Sequence, residues 1–145
     1  MDDKIILMVE DNEDDEVLTL RALKKNNLAN HIEVVRDGAE AIDYIFCKGK
    51  YSDRDVNIKP QLILLDLNLP KMNGIDVLQH IRADDLSKHI PVVMLTTSDQ
   101  EDDITKCYDS GANSFIRKPV DFKEFMEVVN QLGIYWMVIN KSSKT

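Results

Sequence analysis

Three acids in this sequence occupy positions from which they could share a bound cation. Glu10 and Asp11 follow one short apolar run, and Asp66 ends another, Leu62–Leu65. Side-chain carboxylates that converge without a counter-charge raise one another's pKa, unless a cation lies among them. Ligands that are all oxygen suit Mg²⁺ far better than zinc. If the two apolar runs end side by side, the sequence therefore predicts a magnesium site.

A hydroxyl and an ammonium group follow two further apolar runs. Thr96 or Thr97 supplies the hydroxyl, and Lys118 supplies the ammonium. Together with a metal, these groups can stabilise an anion formed on one of the carboxylates, and an acyl phosphate is such an anion. Phosphoryl transfer depends mainly on positioned positive charge. We therefore expect Asp66, the lone acid on a central strand, to be the nucleophile and the other two acids to hold the metal.

The elements that must position these residues alternate regularly along the chain. Runs with the length and composition of strands are separated by stretches with the apolar spacing of helices, and several of the runs lack the polar alternation of a half-exposed strand. The predicted strands are Lys4–Val9, His31–Val35, Leu62–Leu65, Pro91–Leu95 and Ser114–Ile116. This alternation predicts an α/β fold, a doubly wound five-stranded parallel sheet with helices on both faces. Ligands collect at the carboxyl ends of the strands in such sheets.

Composition limits the class of protein and its partners. The chain has 145 residues, 43% of them hydrophobic, which suits one domain spanning residues 1–145. A net charge of −8 argues against direct nucleic-acid binding. No segment reads as a secretory signal or reaches the length of a membrane span, so we expect a cytoplasmic protein without membrane insertion. Cys47 and Cys107 belong to no CxxC pattern and are expected to be reduced thiols.

Four motifs in a fixed order resemble one family. They are VEDN, LLDLNLPKMNG, VVMLTTS and FIRKP, and with them the chain resembles a response-regulator receiver domain of two-component signalling from Lys4 to about Gln131. The resemblance implies the flavodoxin-like strand order 2-1-3-4-5. A polar insert at Cys47–Pro60, the absence of an output domain and an aromatic C-terminus resemble the stand-alone regulators associated with bacterial phytochromes.

The resemblance implies a role for each acid. Asp66 accepts a phosphoryl group from a histidine on a sensor histidine kinase, and the chain is otherwise not an enzyme. Glu10, Asp11 and Asp66 bind Mg²⁺ together with the backbone carbonyl of Asn68. Glu10 stands where the family often has Asp, which lengthens the metal-binding side chain slightly.

The resemblance also implies roles around the acids. Thr96 bonds the phosphoryl oxygens, and Lys118 pairs with the phosphate ahead of a cis bond to Pro119. Phe115 matches the switch aromatic, whose ring moves inward when the hydroxyl of Thr96 moves to the phosphate. Asn68 and Ser98 occupy the positions that tune hydrolysis.

The C-terminal segment is expected to continue the fifth helix over about residues 132–145. One stripe of that helix covers the sheet, and four apolar residues fall largely outside it: Val128, Tyr135, Val138 and Ile139. These residues predict a homodimer or a kinase-docking surface. The alternative is that they fold back on their own domain.

Other interpretations are weaker or remain open. A flavodoxin-like electron carrier needs a phosphate cradle, which the acidic loop after the first strand would repel. An aspartyl phosphatase expects a second Asp at the position of Asn68, so turnover of external phosphate esters is not expected. A pseudo-receiver that binds partners without phosphate is the alternative to a phosphorylated receiver. Asp14, Asp15 and Glu16 are interpreted as residues that only stabilise a helix N-terminus.

Overall fold

The sheet is five-stranded and entirely parallel. The computed structural model describes residues 4–24, 31–97 and 101–134. The strands are β1 (Ile5–Val9), β2 (His31–Val35), β3 (Leu62–Asp66), β4 (Val92–Thr96) and β5 (Ser114–Arg117). Their order is β2-β1-β3-β4-β5. The predicted fold class and strand order are therefore confirmed, and β1 and β3 are neighbours.

Helices cover both faces of the sheet. They are α1 (Glu13–Lys24), α2 (Gly38–Phe46), α3 (Gly74–Ala83), α4 (Glu101–Asp109) and α5 (Phe122–Gln131). One buried cluster joins α2, α3 and α4 to one face, and a second joins α1 and α5 to the other. β3 is buried along its whole length because both faces are covered. None of the helices in the described part of the chain has the length and apolar character needed to cross a bilayer.

The strand register brings the residues of the predicted site to the carboxyl edge of the sheet. Val9 pairs with Leu65, and Asp66 pairs with Leu95. Glu10, directly after β1, and Asp66, at the end of β3, therefore leave the sheet at the same level. Thr96 ends β4 at that level too.

Polar side chains fix the starts of four helices. Asn12 accepts a hydrogen bond from the Asp15 N–H at 2.9 Å, which caps α1. The other caps are made by Asp37, Asn73 and Asp121, each of which accepts from the backbone N–H three residues on. The cap at Asn12 sets where α1 begins and so where its first acidic turn lies.

The insert between α2 and β3 is anchored to α2 and contains a 3₁₀ turn, Gly49–Tyr51. The guanidinium of Arg54 lies 3.8 Å from the centre of the Tyr44 ring and donates to the Tyr44 and Ile58 carbonyls. The Tyr51 hydroxyl donates to Glu40 at 2.6 Å. The insert therefore packs against α2 and does not form a loop that projects into solvent.

The end of α5 differs from the sequence prediction. The helix ends at Gln131, Gly133 has φ 74°, and the Ile134 N–H donates to the Val129 carbonyl at 3.1 Å. This is a Schellman-type end, in which a left-handed glycine stops the helix. The predicted continuation is therefore wrong at residues 132–134, and its remainder, 135–145, lies outside the described residues.

Val128 does not face a partner as predicted from the sequence. It is 6% exposed and packs in the cluster that contains Phe125 and Val129. Its burial follows from the sheet and α1, which together cover a wider stripe of α5 than the one drawn from the sequence. Tyr135, Val138 and Ile139 lie outside the described residues.

Candidate functional site

Three acids meet at the carboxyl edge of β1 and β3. Glu10, Asp11 and Asp66 each offer a carboxylate oxygen, and these oxygens all lie within 4.8 Å of one another. Glu10 is fully buried and Asp66 is 5% exposed, whereas Asp11 is exposed. The structure therefore brings together the three acids that were selected from the sequence.

Lys118 is the cation among these acids. Its Nζ lies 3.1 Å from Asp66 Oδ2 and 2.9 Å from Glu10 Oε1, and its side chain is only 7% exposed. It also donates to Glu10 Oε2 at 3.1 Å. Lys118 follows β5, which pairs with β4, so its side chain reaches back across two strands to the acids. One ammonium thus faces several carboxylates.

Burial and charge shift the pKa values of this group. Burial raises the pKa of Glu10 to about 7; the hydrogen bond from Lys118 opposes this shift, and the charge of Asp66 adds to it. Burial disfavours the charged form of Lys118, but its bonds to Glu10 and Asp15 and the charge of Asp66 outweigh that effect and raise its pKa. The lysine therefore stays protonated among these acids.

The donor set fits a hard divalent cation. Glu10 Oε1 is buried and, although Lys118 Nζ is near, accepts no hydrogen bond from the described residues. An oxygen in this position has a lone pair available for a metal, and Asp11 offers a second oxygen from the solvent side. Carboxylates alone, without histidine or thiolate, match Mg²⁺ or Mn²⁺ rather than zinc.

Two of the other predicted residues, Thr96 and Asn68, contact Lys118 and Asp66 through backbone groups. Thr96 is 2% exposed at the end of β4, and its carbonyl accepts from the Lys118 N–H at 2.8 Å. The Asn68 N–H donates to Asp66 Oδ1 at 3.3 Å. Phe115 on β5 is half-buried and packs edge-on against Tyr108, with ring centres 6.1 Å apart. Ser98 lies outside the described residues.

Two backbone features shape the loops of the site. A Cβ on Gly74 would lie 2.4 Å from the Asp66 carbonyl oxygen, so only glycine allows α3 to begin this close to the end of β3. The Lys118–Pro119 peptide bond is cis. Gly74 thus lies against the backbone of Asp66, and the cis bond directly follows Lys118.

One contact of the cluster was not predicted from the sequence. Asp15 Oδ2 lies 3.0 Å from Lys118 Nζ, although Asp15 was interpreted only as a helix-end residue. The signal for this contact was the place of Asp15 in the first turn of α1, directly after the loop that carries Glu10 and Asp11. Its partner Lys118 is 103 residues away in the chain, so the spacing of residues within α1 could not identify it.

Comparisons with known proteins identify the family and support the fold. Residues 6–130 match the family described as the response regulator receiver domain. Response regulator Rcp1 of Synechocystis sp. is 37% identical over 134 residues, which cover 92% of this chain and 89% of that protein. Rcp1 has been solved in a Mn²⁺-bound form, and that structure aligns with a TM-score of 0.75 at 36% identity over 92% of this chain and 94% of that chain.

Two further solved structures are similar over most of the chain. The bacteriophytochrome response regulator RtBRR has 48% identity and a TM-score of 0.85, covering 95% of this chain and 82% of that chain. The phosphorylated cyanobacterial phytochrome response regulator RcpA has 40% identity and a TM-score of 0.76, covering 92% and 94%. The chain therefore belongs to the response regulator receiver domain family of two-component signalling.

Proposed function

We propose that Asp66 is the phosphoacceptor of this receiver domain and that a histidine kinase is the donor. The observation that carries the proposal is the placement of a buried carboxylate at the end of the central strand, 3.1 Å from a buried lysine and within a cluster of three acids. The similar regulator RcpA has been solved in a phosphorylated form, which supports the proposal.

The reaction follows from the groups present. A carboxylate oxygen of Asp66 attacks the phosphorus of a phosphohistidine and forms a P–O bond. The P–N bond breaks, and its electron pair leaves with the imidazole nitrogen. Lys118 is positioned to neutralise charge on the phosphoryl oxygens, which lowers the barrier electrostatically. Later attack by water returns Asp66 and inorganic phosphate, so the only turnover is of the chain's own phosphate.

Magnesium is the proposed metal of the site. Glu10, Asp11 and Asp66 would hold it, together with the backbone carbonyl of Asn68. A bound divalent cation supplies positive charge to the phosphoryl oxygens during transfer. The Mn²⁺-bound form of the similar protein Rcp1 supports a divalent cation.

Thr96 and Phe115 are the proposed switch. Phosphate on Asp66 would attract the hydroxyl of Thr96, and the ring of Phe115 would move into the space that the hydroxyl leaves. This movement would change the surface of α4 and β5, where Tyr108 already contacts Phe115. The output is then a change in protein contacts, and Asn68 and Ser98 are proposed to set how long it lasts.

Partners follow from this function. The donor is a sensor histidine kinase, and the reaction is proposed to take place in the cytoplasm. A homodimer through the C-terminal segment remains a proposal for Tyr135, Val138 and Ile139 only, because Val128 is buried within its own chain.

Intact mass after incubation with acetyl phosphate and Mg²⁺ tests the proposal. We expect one phosphoryl group on the parent, none without Mg²⁺ and none on Asp66→Asn. The control is Asp76→Asn, which removes an exposed carboxylate from α3 and should leave phosphorylation unchanged. If the parent gains no mass from either acetyl phosphate or a phosphorylated histidine kinase, the phosphoacceptor proposal fails and a phosphate-independent interaction module takes its place.

A further inference from the structure

The ammonium of Lys118 has no hydrogen left for a phosphoryl group. A lysine ammonium has three N–H donors and no acceptor. Its Nζ donates to Glu10 Oε2 at 3.1 Å, Asp15 Oδ2 at 3.0 Å and Asp66 Oδ2 at 3.1 Å. All three donors are therefore directed at carboxylates. A phosphoryl oxygen can reach this lysine only if one carboxylate releases it.

The three carboxylates differ in how easily they can be released. Glu10 is fully buried, and its Oε2 also accepts from the Asn12 N–H, so it cannot turn to water. Asp66 loses its carboxylate charge when it is phosphorylated, which frees one N–H donor, so a second contact of Lys118 with the phosphoryl oxygens requires another carboxylate to leave. Asp15 has a side chain that is 33% exposed, in the acidic first turn of α1. Once released, its carboxylate can be hydrated, and the helix N-terminus still stabilises its charge.

We propose that Asp15 is a positioning residue that occupies Lys118 in the unphosphorylated protein and is displaced when the phosphoryl group arrives. The inference rests on the proposed function, because it assigns Lys118 to the phosphoryl oxygens. Asp15 holds the ammonium in the site and competes with the incoming group for one N–H donor. It therefore favours the unphosphorylated state and slows entry of the phosphoryl group.

This competition predicts different effects on two rates. Full pairing of Lys118 with the phosphoryl oxygens requires it to leave Asp15, so Asp15→Asn should accelerate phosphorylation. Hydrolysis begins after that exchange, so its rate should stay within about twofold of the parent. A partly exposed ion pair is a weak competitor, and we expect an acceleration of about three- to tenfold. Simple disturbance of α1 would instead slow phosphorylation.

The chain offers a matched control in the same helical turn. Asp14 is exposed and adjacent to Asp15, and Asp14→Asn removes the same charge without removing the Lys118 contact. Asp14→Asn therefore measures how the loss of one negative charge in this turn changes the rate of reaction with an anionic phosphodonor. Asp15→Glu keeps the charge and should restore a rate near that of the parent. Thermal unfolding of each variant verifies that it is folded.

The experiment is a time course of intact mass with acetyl phosphate at saturating Mg²⁺, followed by donor removal and a hydrolysis time course. The proposal predicts faster phosphorylation in Asp15→Asn alone, with unchanged hydrolysis. Equal acceleration in Asp14→Asn, an unchanged or slower rate in Asp15→Asn, or a matching change in hydrolysis would overturn it. A parent that is not phosphorylated would instead refute the proposed function, and this inference with it.

Discussion

Lys118 and Arg82 are cations at opposite edges of the same sheet, and their partners differ in kind. Lys118 at the carboxyl edge meets three carboxylates. Arg82, at the end of α3, lies at the amino edge and donates to neutral oxygens. Those acceptors are the carbonyls of Gly111, Ile90 and Lys88 and the side-chain oxygen of Asn113, at 2.9, 2.8, 3.2 and 2.7 Å.

The two cations therefore suit different tasks: Lys118 can exchange its ionic partners, whereas Arg82 holds neighbouring elements of the fold together. The carboxylates can exchange the lysine for a metal ion, and the lysine can exchange a carboxylate for a phosphoryl oxygen, because each new partner supplies the required opposite charge. The neutral acceptors around Arg82 belong to the segments that lead into β4 and β5. A soluble ligand would not replace Arg82 there, because the guanidinium holds its N–H donors in a fixed fork. The carboxyl edge is therefore suited to switching, and the amino edge to holding three elements together.

Lys118→Met should have the largest effect on phosphorylation. Removing the buried ammonium removes one source of charge stabilisation, and we expect a rate about 100- to 1000-fold lower with acetyl phosphate. Magnesium binding should be retained or become tighter, because the lysine no longer competes for Glu10 and Asp66. Rates by intact mass and Mg²⁺ binding by calorimetry measure both effects. A fall in metal affinity parallel to the fall in rate would contradict the separate role of Lys118.

Arg82→Ala should have the largest effect on stability. It leaves the Gly111 and Ile90 carbonyls without the Arg82 donor, while the Asn113 side-chain oxygen keeps only the Val92 N–H. We expect a loss of about 3 kcal/mol in the free energy of unfolding. Arg82→Lys keeps the charge but loses the fork of donors, so it should recover little. Urea unfolding measures both variants. Phosphorylation of the folded variant should match the parent, and a selective loss of phosphorylation would break the comparison between the two edges.

Asp11→Asn should remove about half or more of the stabilisation by Mg²⁺. At a concentration about 100 times its Kd, a ligand that binds only the folded state stabilises it by about 2.7 kcal/mol. A neutral amide in place of the exposed acid should weaken binding at least about tenfold, which removes about 1.4 kcal/mol of this. Thermal unfolding with and without Mg²⁺ measures the difference. Asp14→Asn is the matched control, and an equal loss there would argue against a specific metal site.

Glu10→Gln should show a smaller effect that depends on pH. In metal-free protein, burial raises the pKa of Glu10 from 4.5 to about 7. Between these values the folded protein binds more protons than the unfolded chain, so this residue makes stability fall as pH rises. The variant lacks this titration, so its stability relative to the parent should increase across that window and level off above it. Urea unfolding in chelator at several pH values measures this, and a constant difference would contradict the assignment.

Local patterns in the sequence predicted the strands and helices, and the family resemblance added the strand order that brings the three acids together. Uninterrupted apolar runs that alternate with helical spacing indicate parallel strands, and parallel strands end at one edge. Asp66, Glu10 and Lys118 lie at the carboxyl ends of three different strands, so their meeting required only the strand order. That order came from the family resemblance, since apolar spacing alone does not determine it.

The features that were not predicted from the sequence depend mostly on tertiary contacts. Arg82 reads as a basic residue in the last turn of α3, and only the fold brings Ile90 and Asn113 around it. Val128 was assigned to the outer face of α5, but it is buried because both the sheet and α1 pack against this helix. The end of α5 did have a local signal, since glycine at position 133 is a common helix terminator.

The position of the phosphoryl group on the chain tests the proposed function most directly. Borohydride reduces an aspartyl phosphate to homoserine, and peptide mass spectrometry then identifies the modified residue. After reaction with acetyl phosphate and Mg²⁺, we predict homoserine at position 66 and at no other acid of the cluster. Homoserine in place of Asp11 or Asp15, or an unmodified Asp66 in protein that has gained a phosphoryl group, would contradict the assignment of Asp66 as the phosphoacceptor.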